Sequence, residues 1–195
     1  MRSFLQAKSM AKALRKALAE RQVVLSHSEC LELVSRQFGF VDWNMLAAAM
    51  KDQVTVQFSI VVQHGRQRQA ADFYESVFGA KQVRDYVNDN ELLGLELQLG
   101  STRFGVSGAN PKREAEPSRG GPFYPKAPGA VSSAVNVEVS EVDRVLRRAL
   151  GEGATLRFGL ELDTEGRRCA SFYDPFGHIW GLVERAPSGK HPVVG

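Results

Sequence analysis

Polar side chains recur at every second position in several extended stretches of this 195-residue chain. Such alternation lets a sheet present a row of functional groups on one face. Over 54–63, Thr55, Gln57, Ser59 and Gln63 alternate with Val54, Val56, Phe58, Ile60 and Val62. Over 131–139, Ser132, Ala134, Asn136 and Glu138 alternate with valines and Ser133. Glu96 lies between leucines in 93–99, and Arg103 is in phase with Gly105 and Ser107. Tyr173 shares a strand face with Cys169 and Ser171. These are groups that bind rather than attack. An arginine on a sheet face can hold a carboxylate or phosphate through two parallel hydrogen bonds, or it can pair with Glu96 or Glu138. The histidines read as structural: His178 follows a turn, His64 falls between strand and helix, and His27 lies in an N-terminal helical segment. Cys30 and Cys169 form no CxxC motif and no disulfide framework, and nothing in the sequence places an activating base beside Cys169.

The elements that must position these groups fall into three parts. The helical N-terminal segment is 1–50. Ala7, Met10, Ala11, Leu14 and Leu18 stripe a first helix ending near Arg21. Ser26-x-x-Glu29 is a capping box for a second, through about Phe38, and Asp42 caps a third that carries Trp43 and Leu46. Two helices with a glycine between them resemble a helix-turn-helix in outline. The third, however, offers only Asn44 and Asp42 to a base edge, so a packing cap is the preferred reading and nucleic acid is not an expected partner. From Val54 the period changes to two. A strand, a helix striped by Ala70, Phe73, Tyr74, Val77 and Phe78 and closed by Gly79, and two or three further strands make a first unit, 54–106. Residues 107–130 hold five of the eight prolines and four glycines, a loop long enough to be a lid or a linker. The same order then repeats in 131–185, with Ser140-x-x-Asp143 as the expected helix cap and Asp174-Pro175-Phe176-Gly177 as a type I turn between the last two strands. Residues 186–195 are expected to form a flexible tail.

Composition narrows the class. Hydrophobic residues at 43% and charged residues at 24% are ordinary globular values. The net charge of +3 belongs to the N-terminal fifty residues, with seven Lys/Arg against four Asp/Glu; the remainder holds eighteen of each. No apolar run reaches transmembrane length, and Lys8, Lys12 and Lys16 interrupt any signal-peptide pattern, so a cytoplasmic protein without membrane contact is expected.

The segment AADFYESVFGAKQV, the restart VNVEVSEVDRVLRRALGEGA and the ribbon DPFGHIWGL resemble the vicinal oxygen chelate superfamily, the glyoxalase, bleomycin-resistance and dioxygenase proteins, and its PhnB-like branch in particular. Residues 1–50 resemble a segment found ahead of some glyoxalase-like proteins. The resemblance implies an α+β fold: two βαβββ units forming a curved mixed sheet, with a small all-helical N-terminal cap before it. It implies a cup on the sheet face away from the helices, faced by Gln57, Ser59, Glu96, Arg103, Ser132, Asn136, Glu138 and Tyr173 as the expected ligand-binding set. Metal-dependent members carry two ligands per unit. Those positions fall here at Gln57 or Ser59, Gly105, at or near Ala134, and Gly181, which leaves at most one donor and a cup floor opened by glycine. No metal or cofactor is therefore expected, and the sequence assigns no catalytic residue either way. The expected role is binding of a small, anionic molecule by a homodimer, with Phe123-Tyr124 as interface or lid contacts. The alternatives are a metal-dependent lyase or dioxygenase, and a ligand-sensing regulator with DNA-binding N-terminal helices.

Overall fold

The protein was described from a computed structural model covering residues 6–51 and 56–186. Val54, Thr55 and the tail from 187 lie outside the described residues. The chain divides between Val56 and Gln57 into two compact units.

The N-terminal unit holds α1 (Ala7–Ala19), α2 (His27–Gln37) and α3 (Trp43–Lys51). The Ser26 hydroxyl accepts from the Glu29 N–H, and the Glu29 carboxylate accepts from the Ser26 N–H, so the expected capping box closes in both directions. The Asp42 side chain accepts from the Met45 N–H at 2.8 Å, which caps α3. Ala7, Ala11, Cys30, Val34 and Leu46 are buried together, as the first helix's 3.6-residue stripe requires.

The second unit contains two copies of one βαβββ pattern. The first comprises β1 (Ser59–Val62), α4 (Gln67–Phe78), β2 (Lys81–Asn88), β3 (Glu91–Leu99) and β4 (Thr102–Gly108). The second comprises β5 (Ala134–Val139), α6 (Val142–Gly151), β6 (Thr155–Leu162), β7 (Arg168–Tyr173) and β8 (Ile179–Glu184). Backbone hydrogen bonding groups the strands into two four-stranded ladders, β1-β4-β3-β2 and β5-β8-β7-β6, with the first strand of each parallel to the last and the other pairs antiparallel. The fold is thus α+β with the expected duplication.

Alternation sorts the faces as the sequence implies. Leu95, Leu97, Phe104 and Val106 from one sheet and Ala170, Phe172, Trp180 and Leu182 from the other are buried in a single core with α4 and α6. Aromatic rings join the halves: Phe78 lies 4.7 Å from Trp180 and Tyr74 5.0 Å from it, centroid to centroid. Gly79 ends α4 in the left-handed region at φ 71°, a conformation glycine adopts without a Cβ penalty.

The buried carboxylate of Asp174 fastens the turn to this core. It accepts from the Phe176 and His178 N–H groups at 2.9 Å each, from the Tyr74 hydroxyl at 2.7 Å and from Trp180 Nε1 at 3.0 Å. His178 Nε2 lies 2.9 Å from the Val61 carbonyl oxygen, so this histidine links the turn to β1. DPFGHIW is a structural motif in this chain.

Several expectations need correction. The first strand begins at Ser59; Val56 is exposed and lies outside it, and Val61, placed on the polar side by alternation, is buried. The strand of the second copy begins at Ala134, leaving Ser132 in an exposed bend before it. Ser140 does not cap α6; Glu141 occupies the N-cap position without a side-chain hydrogen bond. The 107–130 stretch is not plain loop, because Asn110 caps a short helix, α5 (Pro111–Ala115), followed by a 3-10 turn at Pro117–Arg119.

Candidate functional site

On the first sheet, the face turned from the helices holds a cavity of about 140 Å³ lined by residues 57–59, Tyr86, Leu95, Glu96, residues 103–105 and Ser107. The register explains the grouping. Ser59 pairs with Gly105, Gly105 with Glu96, and Glu96 with Arg84, so one row crosses all four strands. Paired residues project to the same side of a sheet. Arg103 precedes Gly105 by two places on β4, and Tyr86 lies across from Gly94.

Glu96 is 8% exposed. Among the described residues no hydrogen-bond donor reaches its carboxylate, and the one cation within 4 Å is the Arg103 guanidinium at 3.8 Å. That separation is an ion pair without a hydrogen bond. Arg103 has its side chain 52% exposed, so it can turn toward a ligand at little cost. Arg84 is exposed as well. The site therefore combines the Glu96 carboxylate, the Arg103 guanidinium, the Ser59 and Ser107 hydroxyls and the Tyr86 ring, with the exposed Arg84 paired across the ladder from Glu96.

Of the expected ligand set, the structure brings together Gln57, Ser59, Glu96 and Arg103. Ser132, Asn136, Glu138 and Tyr173 belong to the second copy and do not line this cavity. Asn136 and Glu138 are exposed on β5. Tyr173 lies under the loop that joins the two copies, where a Cβ on Gly129 would come within 2.8 Å of its ring. The sequence reading missed Tyr86, because β2 has no apolar alternation to mark it as a strand.

The positions that carry metal ligands in metal-dependent relatives can be tested by chemistry. Opposite Gly105 stands Ser59, and opposite Gly181 stands Asn136, rather than Ala134. The expectation that glycine opens the floor is also corrected. The Ser59 hydroxyl lies 2.5 Å from where a Gly105 Cβ would sit, and Asn136 Oδ1 fills the corresponding space over Gly181. A hydroxyl and an amide oxygen, one per copy, do not make a divalent-cation site. Among the described residues no cluster of three or more His, Cys, Asp or Glu could hold a metal.

A duplicated βαβββ fold with a small cavity on the helix-free sheet face defines a class, and comparison with known proteins agrees. The family model for the glyoxalase/bleomycin resistance protein/dioxygenase superfamily matches residues 57–182, and a model described as glyoxalase superfamily protein matches residues 1–99. The chain belongs to this superfamily, and its N-terminal helices fall within the second match. An uncharacterized protein of Mycobacterium bovis, Mb0911c, is 30% identical over 114 residues, 58% of this chain and 72% of that one. Among solved structures, the hypothetical protein SA1046 from S. aureus superposes with a TM-score of 0.53 at 18% identity, over 70% of this chain and 98% of that one. A Bacillus cereus PhnB protein, titled a putative 3-demethylubiquinone-9 3-methyltransferase, gives 0.50 at 14% identity, over 68% and 100%. These likenesses are of fold. Among the described residues, no helix is long and apolar enough to cross a membrane.

Proposed function

We propose that this protein binds a small molecule in the cavity of the first copy, without a catalytic metal, and that Arg103 holds an acidic group of that molecule. The observation that supports it is the convergence of Arg103, Ser59, Ser107 and the Tyr86 ring on one concavity, polar groups placed to orient a ligand. The reading without metal rests on the donors Ser59 and Asn136 standing opposite two glycines. Native mass spectrometry of the purified protein should reveal a co-purified acid that Arg103→Ala releases. Near-stoichiometric zinc, nickel, manganese or iron retained through dialysis would overturn the metal-free assignment.

We propose further that the protein is a homodimer. Outer strands β2 and β6 leave Val83, Tyr86, Val87, Leu156, Leu160 and Leu162 exposed, apolar surface of the kind that protein contacts cover. Sedimentation showing only monomer at high micromolar concentration would refute this.

A further inference from the structure

Glu96 is the unusual group in the cavity. A carboxylate removed from water needs hydrogen-bond donors, because desolvation of a charge is otherwise uncompensated. Glu96 faces the cavity with its carboxylate oxygens open to solvent there and no protein donor among the described residues, so a ligand that fills the cavity takes that water away and must replace it. The fold does not require a charge there, and the second copy supplies the control. By register, the counterpart of Glu96 is Ser171, since Glu96 pairs with Gly105 as Ser171 pairs with Gly181. Ser171 is satisfied internally, donating to the Trp180 carbonyl at 2.9 Å. The counterpart of Arg103 is Ile179, and that of Arg84 is Phe158. The same architecture thus stands without any of the three charges, and they occur together only where the cavity lies.

We infer that the ligand is a small acid carrying a hydrogen-bond donor, a hydroxyl or an ammonium, beside its acidic group: the donor meets Glu96 while the acid meets Arg103. This rests on the small-molecule reading of the same cavity and narrows it. A plain anion on Arg103 would draw the guanidinium from Glu96 and leave a buried carboxylate next to a second negative charge. A donor on the ligand removes that penalty. A hydroxy acid and an amino acid share this chemistry and differ in net charge. Arg84 on the far side of Glu96 makes the local balance one negative against two positive, so a site that uses both guanidinium groups suits the hydroxy acid, and one that uses Arg103 alone suits the amino acid.

The test uses three probes of one shape on the full-length protein: 3-phenylpropionate, which has no donor, phenyllactate and phenylalanine. Their rings suit the Tyr86 side of the cavity. Binding is read from amide shifts of Glu96, Gly105 and Ser107 in nitrogen-edited spectra, which also report whether each variant is folded. Phenyllactate or phenylalanine should bind at least about tenfold more tightly than phenylpropionate, the lower end of the effect of a hydrogen bond to a charged group. Glu96→Leu should remove that preference. Glu96→Gln, which keeps an acceptor but loses the charge, should weaken phenylalanine more than phenyllactate; this arm stands if the leucine variant does not fold. Equal or tighter binding of phenylpropionate, or a preference that survives Glu96→Leu, overturns the inference and leaves the small-molecule reading intact. Silence from all three probes, with no co-purified ligand, overturns the reading of the cavity and the inference with it.

Discussion

Replacing Asp174 by alanine should be among the most damaging single changes in the second unit. The residue is 4% exposed and its carboxylate accepts four hydrogen bonds, two from the turn backbone and two from the Tyr74 hydroxyl and Trp180 Nε1. Alanine leaves both side-chain donors unpaired, and Trp180 and Tyr74 are wholly buried, so water cannot replace the lost acceptor. Each unsatisfied donor costs about 1–3 kcal/mol, and loosening of the turn adds to this, for a total of roughly 3–6 kcal/mol. A domain of ordinary stability has about 5–15 kcal/mol in all. Tyr74→Phe should cost less, about 1–2 kcal/mol, because the carboxylate keeps three donors. Since Tyr74 and Asp174 share one bond, the double variant should fall short of the summed losses by about 1 kcal/mol or more. Urea unfolding followed by Trp180 fluorescence, in a Trp43→Phe background so that one indole reports, measures all four corners of the cycle. A loss below about 1 kcal/mol for Asp174→Ala, or strict additivity, would refute the account of DPFGHIW as a buried clamp.

The same pair predicts a pH dependence. Burial, and then the Asp174 carboxylate, hold the Tyr74 hydroxyl well above its ordinary 10.0. A folded-state value raised above the unfolded one gives stability that is complete below pH 10 and is lost as pH rises from there toward the folded value, at up to about 1.4 kcal/mol per pH unit. Tyr74→Phe should therefore lose stability less steeply than the parent above pH 10 in parallel urea titrations, and identical slopes would refute it. Two glycine substitutions should separate turn from strand. Gly177 has φ 92°, and a Cβ there would meet Pro125 at 2.8 Å and the Ala127 carbonyl at 3.2 Å, so Gly177→Ala should lower stability by about 2 kcal/mol or more. Gly181→Ala meets only the exposed, rotatable end of Asn136 and should cost under about 1 kcal/mol by the same urea unfolding.

What the sequence made legible follows from periodicity. Leu95/Leu97, Phe104/Val106 and Trp180/Leu182 alternate cleanly and all are buried, and Ser26-x-x-Glu29 and Gly79 mark helix ends that the structure has. β2 was not legible, because KQVRDYVN is exposed throughout and carries no apolar face. α5 is too short for a hydrophobic period and is set by Asn110 and Pro111. At the site, alternation alone placed Gln57, Ser59, Gly105 and Arg103 on one side. It could not show that Ser59 fills the space over Gly105, or that Glu96 lacks a protein donor, since both depend on cross-strand register.

Register also turns the duplication into evidence about function. At constant spacing along the chain, the residue matching Glu96 would be taken as Phe172, offset by the same 76 positions as Gly105 from Gly181, and the comparison would set a charge against a core aromatic. The ladders shift the match by one, to Ser171, because the connection between the last two strands is one residue longer in the second copy. With that shift every helix-side position pairs apolar with apolar: Leu95 with Ala170, Leu97 with Phe172, Phe104 with Trp180, Val106 with Leu182. The differences concentrate on the opposite face, where Glu96, Arg103 and Arg84 stand against Ser171, Ile179 and Phe158. Packing explains the first set in both copies. It does not explain a carboxylate without a protein donor beside guanidinium groups in one copy alone, and that contrast is the observation on which the proposed ligand rests.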